Sequence, residues 1–494
     1  MSLKQKAIQG VKWTTVSTVI TILLQLLQLV VLGRLLDSSA FGLMGMVLVI
    51  VGFADLFMDM GISNAIIQRQ DISKKELSSL YWLNVISGAF IAVLIWCFSP
   101  VIADLFKEPK MSDLVKWIAV IYLITPLGQQ YRALLQKELR FNLIAKAEVL
   151  SAVLGVGLSI VAAYYGQGVM SLIWGQLVIA LVKTVIFIGS GMKYHKPGLH
   201  FRFSETKRFL SFGIYQMGES VLNYFNSKVD SVIIGRTLGS VALGYYTMPF
   251  NIIIMPSTKI NPILTRVLFP LFSKMQDNQE RLKQNFFKLL TLVSLVNFPI
   301  FFGLFVTAPL FIPVIFGDKW MNSIHLLQLL CGVGLLRSVG NPIGSLLMAT
   351  GQVNISFRFN AFKMFTQIPG IIIGAYAGGL TGVAVAYLIL QVFYTILSYR
   401  YMIYRAVGPS LSAYIQSFIP GTVASAIMGI VVWLIGRVLT PLSDVYQLAV
   451  EIIVGIVTYI VMMMFSRNEV AVELKQMVGK KLGFAKSIKM SKAN

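Results

Sequence analysis

Residues 209–255 read FLSFGIYQMGESVLNYFNSKVDSVIIGRTLGSVALGYYTMPFNIIIM. The first half is apolar over a length that crosses a bilayer. It nevertheless carries Glu219, Asn223, Asn226, Lys228 and Asp230, which are costly in hydrocarbon unless they face a wet interior. The second half repeats the start of the chain. Gly235-Arg236-x-Leu238-x-x-x-Ala242-x-Gly244-x-x-x-Met248 matches Gly33-Arg34-x-Leu36-x-x-x-Ala40-x-Gly42-x-x-x-Met46 at a constant offset of 202 positions. The chain therefore begins again here, and its second beginning places charge inside the membrane. Internal repeats of this kind mark two-half transporter architectures, with a site near the midplane where the halves meet.

Composition excludes the soluble alternatives. Of the 494 residues, 56% are hydrophobic and 13% charged, and the mean hydropathy is +0.76, values of a multi-span membrane protein. The net charge of +22 could suggest nucleic acid. Binding it needs a basic face, whereas here Lys and Arg separate apolar runs, the signature of the positive-inside bias. The two cysteines, Cys97 and Cys331, lie in apolar runs and form no disulfide or metal motif. His195, His200 and His325 lack metal-ligand spacing. The N-terminal run has no small-x-small cleavage site and reads as a retained first helix.

Hydropathy predicts an all-α polytopic fold of about fourteen spans. The first six lie near 13–33, 41–66, 78–103, 114–136, 147–165 and 169–189. Six more lie near 211–234, 243–268, 287–315, 324–349, 358–377 and 381–403, and a final pair near 412–438 and 445–465. This gives an N-terminal six-helix bundle (1–203), a C-terminal six-helix bundle (204–405), and two extra helices with a basic tail (406–494). Six is even, so the bundles are parallel repeats about an axis along the membrane normal. Connectors after even-numbered spans are the basic ones: Arg69, Lys74 and Lys75; Lys137, Arg140 and Lys146; Lys193, Lys196, Arg202, Lys207 and Arg208. Both termini are therefore expected on the cytoplasmic side.

Several intramembrane polar residues are candidates for chemistry. Asp55 and Asp59 are spaced i, i+4 and share a helical face, a pattern suited to carrying a coupled ion or proton. Lys228, Asp230 and Asn226 on the seventh span, Gln28 at the position equivalent to Asp230, and Arg337 in the middle of the tenth span are the candidate substrate contacts. Arg337 calls for a carboxylate or phosphate partner at that depth. Asn261 occupies the repeat position of Asp59. Lys183 reads as a cation snorkelling to the surface. Pro249, Pro256 and Pro262 permit kinks in the eighth span. The chain has no GxxxxGK[ST] loop and no nucleophile or zincin motif. It is thus read as a non-enzyme without catalytic residues, cofactor or metal, driven by something other than ATP bound to this chain.

The segment FGLMGMVLVIVGFADLFMDMGISNAIIQRQ (41–70), the FNLIAKAEV connector (141–149) and the six-plus-six-plus-two pattern resemble the polysaccharide transporter family of the multidrug/oligosaccharidyl-lipid/polysaccharide export superfamily, nearest the colanic-acid and teichuronic-acid exporters. The resemblance implies a flippase of the bacterial cytoplasmic membrane. Its substrate would be undecaprenyl-diphosphate-linked oligosaccharide, and its work surface-polysaccharide synthesis by alternating access. It implies membrane lipids and the lipid-linked oligosaccharide as partners, with a polymerase and glycosyltransferases as possible further ones. It also implies a cavity lined by the first two helices of each half, which bear Asp55, Asp59, Lys228 and Asp230 but not Arg337. An ion-coupled multidrug exporter of the same superfamily is the alternative, and a membrane glycan polymerase or ligase a more distant one. The outer connectors are short for the acid/base residues that last reading needs.

Overall fold

The computed structural model describes residues 3–58, 61–69, 71–261, 278–439, 442–466 and 468–481, and every regular element among them is helical. Two compact units are formed, one from Met1–Met248 with Met364–Ala375, the other from Pro249–Lys363 with Tyr376–Asn494.

The first unit contains α1 (Leu3–Leu35), α2 (Ser38–Met58), α3 (Ile62–Gln68), α4 (Lys74–Phe106), α5 (Met111–Ala119), α6 (Ile121–Lys137), α7 (Phe141–Tyr164), α8 (Met170–Gly191) and most of α9 (Phe203–Met255). Packing runs α1 on α7, α7 on α8, α8 on α6, and α6 on α4, with α2 laid against α4 and α5. Apolar side chains give little net drive between helices in lipid, so close backbone approach at small residues matters more. At the α7–α8 contact, a Cβ on Gly175 would stand 2.9 Å from the Gly155 carbonyl oxygen and 1.8 Å from the Ser159 hydroxyl. The start of α4 is fixed by a capping box: Ser73 Oγ accepts from the Glu76 backbone N–H, and Glu76 accepts from that of Ser73.

The basic connector after α8 is clipped to the first turns of α4. Trp82 Nε1 donates to the Gly198 carbonyl at 2.9 Å, and Gly198 N–H donates to Ser78 Oγ at 3.1 Å. The Arg202 N–H donates to Ser79 Oγ, which in turn donates to Glu205 at 2.7 Å. His195 is buried with Nε2 3.4 Å from Ser78 Oγ. Burial, and secondarily the nearby Lys74, holds its imidazole below the ordinary value. Hydrogen bonds from Ser79 and then His200 hold the Glu205 carboxyl below its ordinary range.

The second unit contains α10 (Gln279–Phe316), α11 (Ile324–Ala349), most of α12 (Val353–Ser398), α13 (Tyr404–Val407), α14 (Leu411–Gln416), α15 (Ile419–Val438), α16 (Asp444–Phe465) and α17 (Glu469–Lys481). Its core gathers Phe286, Leu290, Leu346, Leu347, Tyr394 and Ile403. The last turn of the α9 path widens into a π-turn at Pro256–Ile260, where the missing proline N–H loosens the ladder.

Twelve helical stretches among the described residues are long and apolar enough to cross a bilayer. Fourteen spans were expected. The difference lies in Val221–Lys259 and Asn354–Val407, each a single helical stretch where the hydropathy pattern predicts two spans. Both are broken internally, α9 at Gly239 (φ 84°, ψ 179°) and α12 at Gly378–Gly379 (Gly379 φ 55°, ψ −135°). These breaks fall between the paired spans. Gly239 and Gly379 take a positive φ there, where a side chain would be strained.

Candidate functional site

Within the first unit, α2 runs against the segment of α9 from Tyr224 to Thr247, and the repeat-related residues meet there. A Cβ on Gly42 would lie 1.7 Å from the Ser240 carbonyl oxygen. A Cβ on Gly244 would lie 1.8 Å from the Ser38 carbonyl oxygen. Gly42 and Gly244 are equivalents at the repeat offset, as are Ser38 and Ser240. The contact is therefore reciprocal, the property of a two-fold relation. Only a residue without Cβ allows two backbones this close. Along the same seam Gly45 faces Thr247, and Gly52 leaves room for the Tyr224 ring. The Tyr224 hydroxyl donates to the Val49 carbonyl, and Phe53 packs against Phe225 at 5.8 Å between ring centres. Around the upper contact, the Ser240 N–H donates to Glu108 at 3.3 Å and Arg236 donates to the Leu105 carbonyl.

Along the same stretch of α2, the Tyr122 hydroxyl of α6 lies 2.6 Å from the Val51 carbonyl oxygen and 3.0 Å from Asp55 Oδ1. One phenol proton serves one acceptor at a time. Both contacts become hydrogen bonds together only when Asp55 carries a proton and donates to the phenol oxygen. Asp55 also lines a cavity of about 630 Å³ in this unit, with Arg132, Glu148 and Lys183. Lys183, expected to snorkel, is among the residues that line this space. Asp59 lies outside the described residues, as do Pro262 and the tail from 482 onward.

The remaining candidates of the first unit are held in different ways. Gln28 donates to Ser159 Oγ at 3.2 Å. Asp230 is fully buried, accepting from the Tyr246 hydroxyl at 2.6 Å and from the Ser231 N–H at 2.8 Å. Tyr246 and Asp230 stand on opposite sides of the Gly239 break, so this bond ties the two arms of α9. The Asn226 carbonyl accepts from Gln367 at 3.2 Å. Lys228 is half-buried two residues from Asp230, and its ammonium makes no ion pair among the described residues.

In the second unit, Arg337 on α11 donates to the Tyr387 hydroxyl of α12 at 2.9 Å and forms no ion pair among the described residues. Tyr387 is buried and stacks on Phe250, with ring centres 6.4 Å apart. A second cation, Lys363, lies within coulombic range of Arg337. Its ammonium sits 5.2 Å from the Phe359 ring centre and 5.3 Å from that of Tyr394, a cation–π setting. Residue Lys363 was not singled out from the sequence. Its signal was a lone Lys inside the apolar 358–377 run, the same signal that marked Arg337. Beside them the buried Asn261 donates to the Ser338 carbonyl at 2.9 Å and accepts from Asn297 at 2.7 Å. Two like charges in a low-dielectric setting favour an anionic guest, and guanidinium with ammonium suits phosphate oxygens.

Residues 31–325 match the family described as "Polysaccharide biosynthesis protein". The chain is 43% identical over 483 residues to lipopolysaccharide biosynthesis protein WzxC of Escherichia coli (strain K12), covering 96% of this chain and 97% of that one. It is 32% identical over 430 residues to teichuronic acid biosynthesis protein TuaB of Bacillus subtilis (strain 168), covering 87% and 89%. Its fold matches a structure of lipid II flippase MurJ in an inward closed conformation, with TM-score 0.70 at 16% identity, over 92% of this chain and 98% of that one. The resemblance carried by residues 41–70 and 141–149 is borne out, and the chain belongs to the polysaccharide biosynthesis protein family of multi-span membrane proteins.

Proposed function

We propose that this protein is a flippase that carries undecaprenyl-diphosphate-linked oligosaccharide across the bacterial cytoplasmic membrane for surface-polysaccharide synthesis. The observation that carries this reading is the presence of two cations, Arg337 and Lys363, in membrane-spanning helices of one unit, with Arg337 hydrogen-bonded to the neutral Tyr387. Placing such charges there is costly, and a diphosphate offsets that cost by accepting from both. Relatives named for lipopolysaccharide and teichuronic acid biosynthesis, and a fold shared with a lipid II flippase, support the same substrate class. Lys228, Asp230, Asn226 and Gln28 remain proposed contacts on the first helices of the two repeats. The chain is organised as repeats 1–203 and 204–405 plus a terminal part, 406–494. Counting α9 and α12 as two crossings each gives fourteen spans with both termini cytoplasmic, as the basic connectors favour.

Transport is by alternating access, and the reciprocal Gly42–Ser240 and Gly244–Ser38 contact is our candidate for one closed end of the pathway. Asp55, together with Asp59, is the candidate carrier of a coupled proton. The shared Tyr122 contact supports this, because it is completed by a protonated Asp55. The test is deletion followed by leaflet-resolved analysis of lipid-linked glycans. Accumulation of one lipid-linked oligosaccharide on the cytoplasmic leaflet is expected. Drug sensitivity with an unchanged glycan pool would instead establish the multidrug-exporter reading. An impermeant thiol reagent applied to intact cells should leave a cysteine at position 200 unlabelled; labelling there would overturn the orientation.

A further inference from the structure

The cavity beside Asp55 has a lining unlike that of the Arg337–Lys363 pair. Its ionisable groups are Arg132 and Lys183 against Asp55 and Glu148, so with Asp55 ionised the lining is balanced and makes no well for an anion. Three glutamines, Gln129, Gln136 and Gln176, project into the same space from α6 and α8. A primary amide offers donors and an acceptor side by side, and a carboxylate or guanidinium offers two of one kind in a plane. Between these groups lie the hydrocarbon faces of Ile121, Ile179 and Phe187. At about 630 Å³ the space falls within the ~300–1,000 Å³ of organic ligand pockets, far larger than one ion needs.

The geometry points to a saccharide subsite: we infer that this cavity binds part of the glycan itself, separately from the diphosphate. A sugar presents adjacent hydroxyls, each both donor and acceptor, around a ring with C–H faces. A lining of amides, charges of both signs and apolar patches matches that chemistry. A lipid tail would meet too many polar groups, and a diphosphate would meet two carboxylates. Among the described residues, Gln136 and Gln176 make no side-chain hydrogen bond to protein, so their amides are available to a guest.

Location fits the same role. Gln136 and Arg132 lie in the last two turns of α6, Glu148 two turns into α7, and Lys183 two turns before the end of α8. These are the ends joined by the basic connectors, which the proposed orientation places on the cytoplasmic side. This inference rests on the flippase reading, and on the glycan entering from that side.

The test uses the oligosaccharide released by mild acid from the lipid-linked pool of a deletion strain, free of lipid and diphosphate. Its binding to full-length protein in nanodiscs is measured by calorimetry. Saturable binding is expected, and Gln136→Leu with Gln176→Leu should raise Kd at least tenfold with an unchanged melting temperature. Should that double variant prove unstable, Arg132→Gln is measured in its place, with the same expectation. Absence of saturable binding to the parent, or a variant Kd within twofold of the parental value, overturns the subsite. The flippase reading is judged independently by translocation of the intact lipid-linked oligosaccharide in vesicles. Translocation without oligosaccharide binding sinks the subsite alone, whereas binding without translocation sinks the flippase reading and leaves a glycan-binding cavity.

Discussion

The reciprocal glycine contact can be opened with one methyl group. In Gly244→Ala the added Cβ would stand 1.8 Å from the Ser38 oxygen, 2.5 Å from its carbonyl carbon and 3.0 Å from its Cα. All three are backbone atoms, so no rotamer change relieves the overlap. Reaching an ordinary contact of 3.4 Å requires the two segments to part by about 1.6 Å. Overpacking of this kind costs about 1–3 kcal/mol. If the contact closes one conformation and is absent from the other, the cost shifts the equilibrium between them by roughly 5- to 150-fold. Gly42→Ala should act in the same direction, since its Cβ would meet the Ser240 oxygen at 1.7 Å. Gly157→Ala is the control, because nothing lies within 4 Å of its Cβ position and alanine favours helix. The assay is the rate of thiol labelling at Ser240→Cys, a buried position, in a background lacking Cys97 and Cys331. Faster labelling in both contact variants and an unchanged rate in the control is the expected pattern. Parental rates in Gly42→Ala and Gly244→Ala alike would refute a close backbone contact at this seam.

Three further outcomes are expected. Arg337→Gln and Lys363→Gln should each lower translocation of diphosphate-linked substrate at least tenfold while the protein remains in the membrane, since each removes a charge-assisted phosphate contact; parental rates in both would remove the diphosphate assignment. Asp55→Asn should keep substrate binding and lose the response of translocation to a pH gradient in vesicles, and Tyr122→Phe should weaken that response; identical pH responses in parent and Asp55→Asn would end the proton role. In the connector, folding favours neutral His195, so the stability it contributes is present above the ordinary imidazole value of 6.5 and falls away as pH drops from there toward its lowered folded value. Glu205 contributes in the other range, losing stability only as pH falls below its ordinary 4.5. Hydrogen exchange of residues 193–202, corrected for intrinsic rates, should therefore speed up between about pH 7 and about pH 5.5, and His195→Gln should flatten that change. An equal acceleration in His195→Gln would assign it to another group.

Residue order alone carried the helical class, the internal match at a constant offset and the span limits between which α9 and α12 break. These are properties of one-dimensional patterns: hydropathy over a span's length, identities at a constant offset, and glycine between two apolar runs. Arg337 and Asp55 were visible for the same reason, because any charge in an apolar run is conspicuous. What order could not supply was azimuth and partner. Lys363 was as conspicuous as Arg337, but only the packing of α11 against α12 brings the two cations together across 26 positions. Tyr122, Gln136 and Gln176 are unremarkable in sequence, and become informative when α6 brings Tyr122 onto Asp55 and α6 and α8 bring the two glutamines to the cavity it lines. The repeat shows the division most plainly. Sequence paired Gly42 with Gly244 and Ser38 with Ser240 as equivalents, but equivalence at an offset says nothing about distance. That each glycine lies on the carbonyl of the other repeat's serine depends on how α2 crosses α9, and that crossing is set by three-dimensional packing at the small residues of the seam.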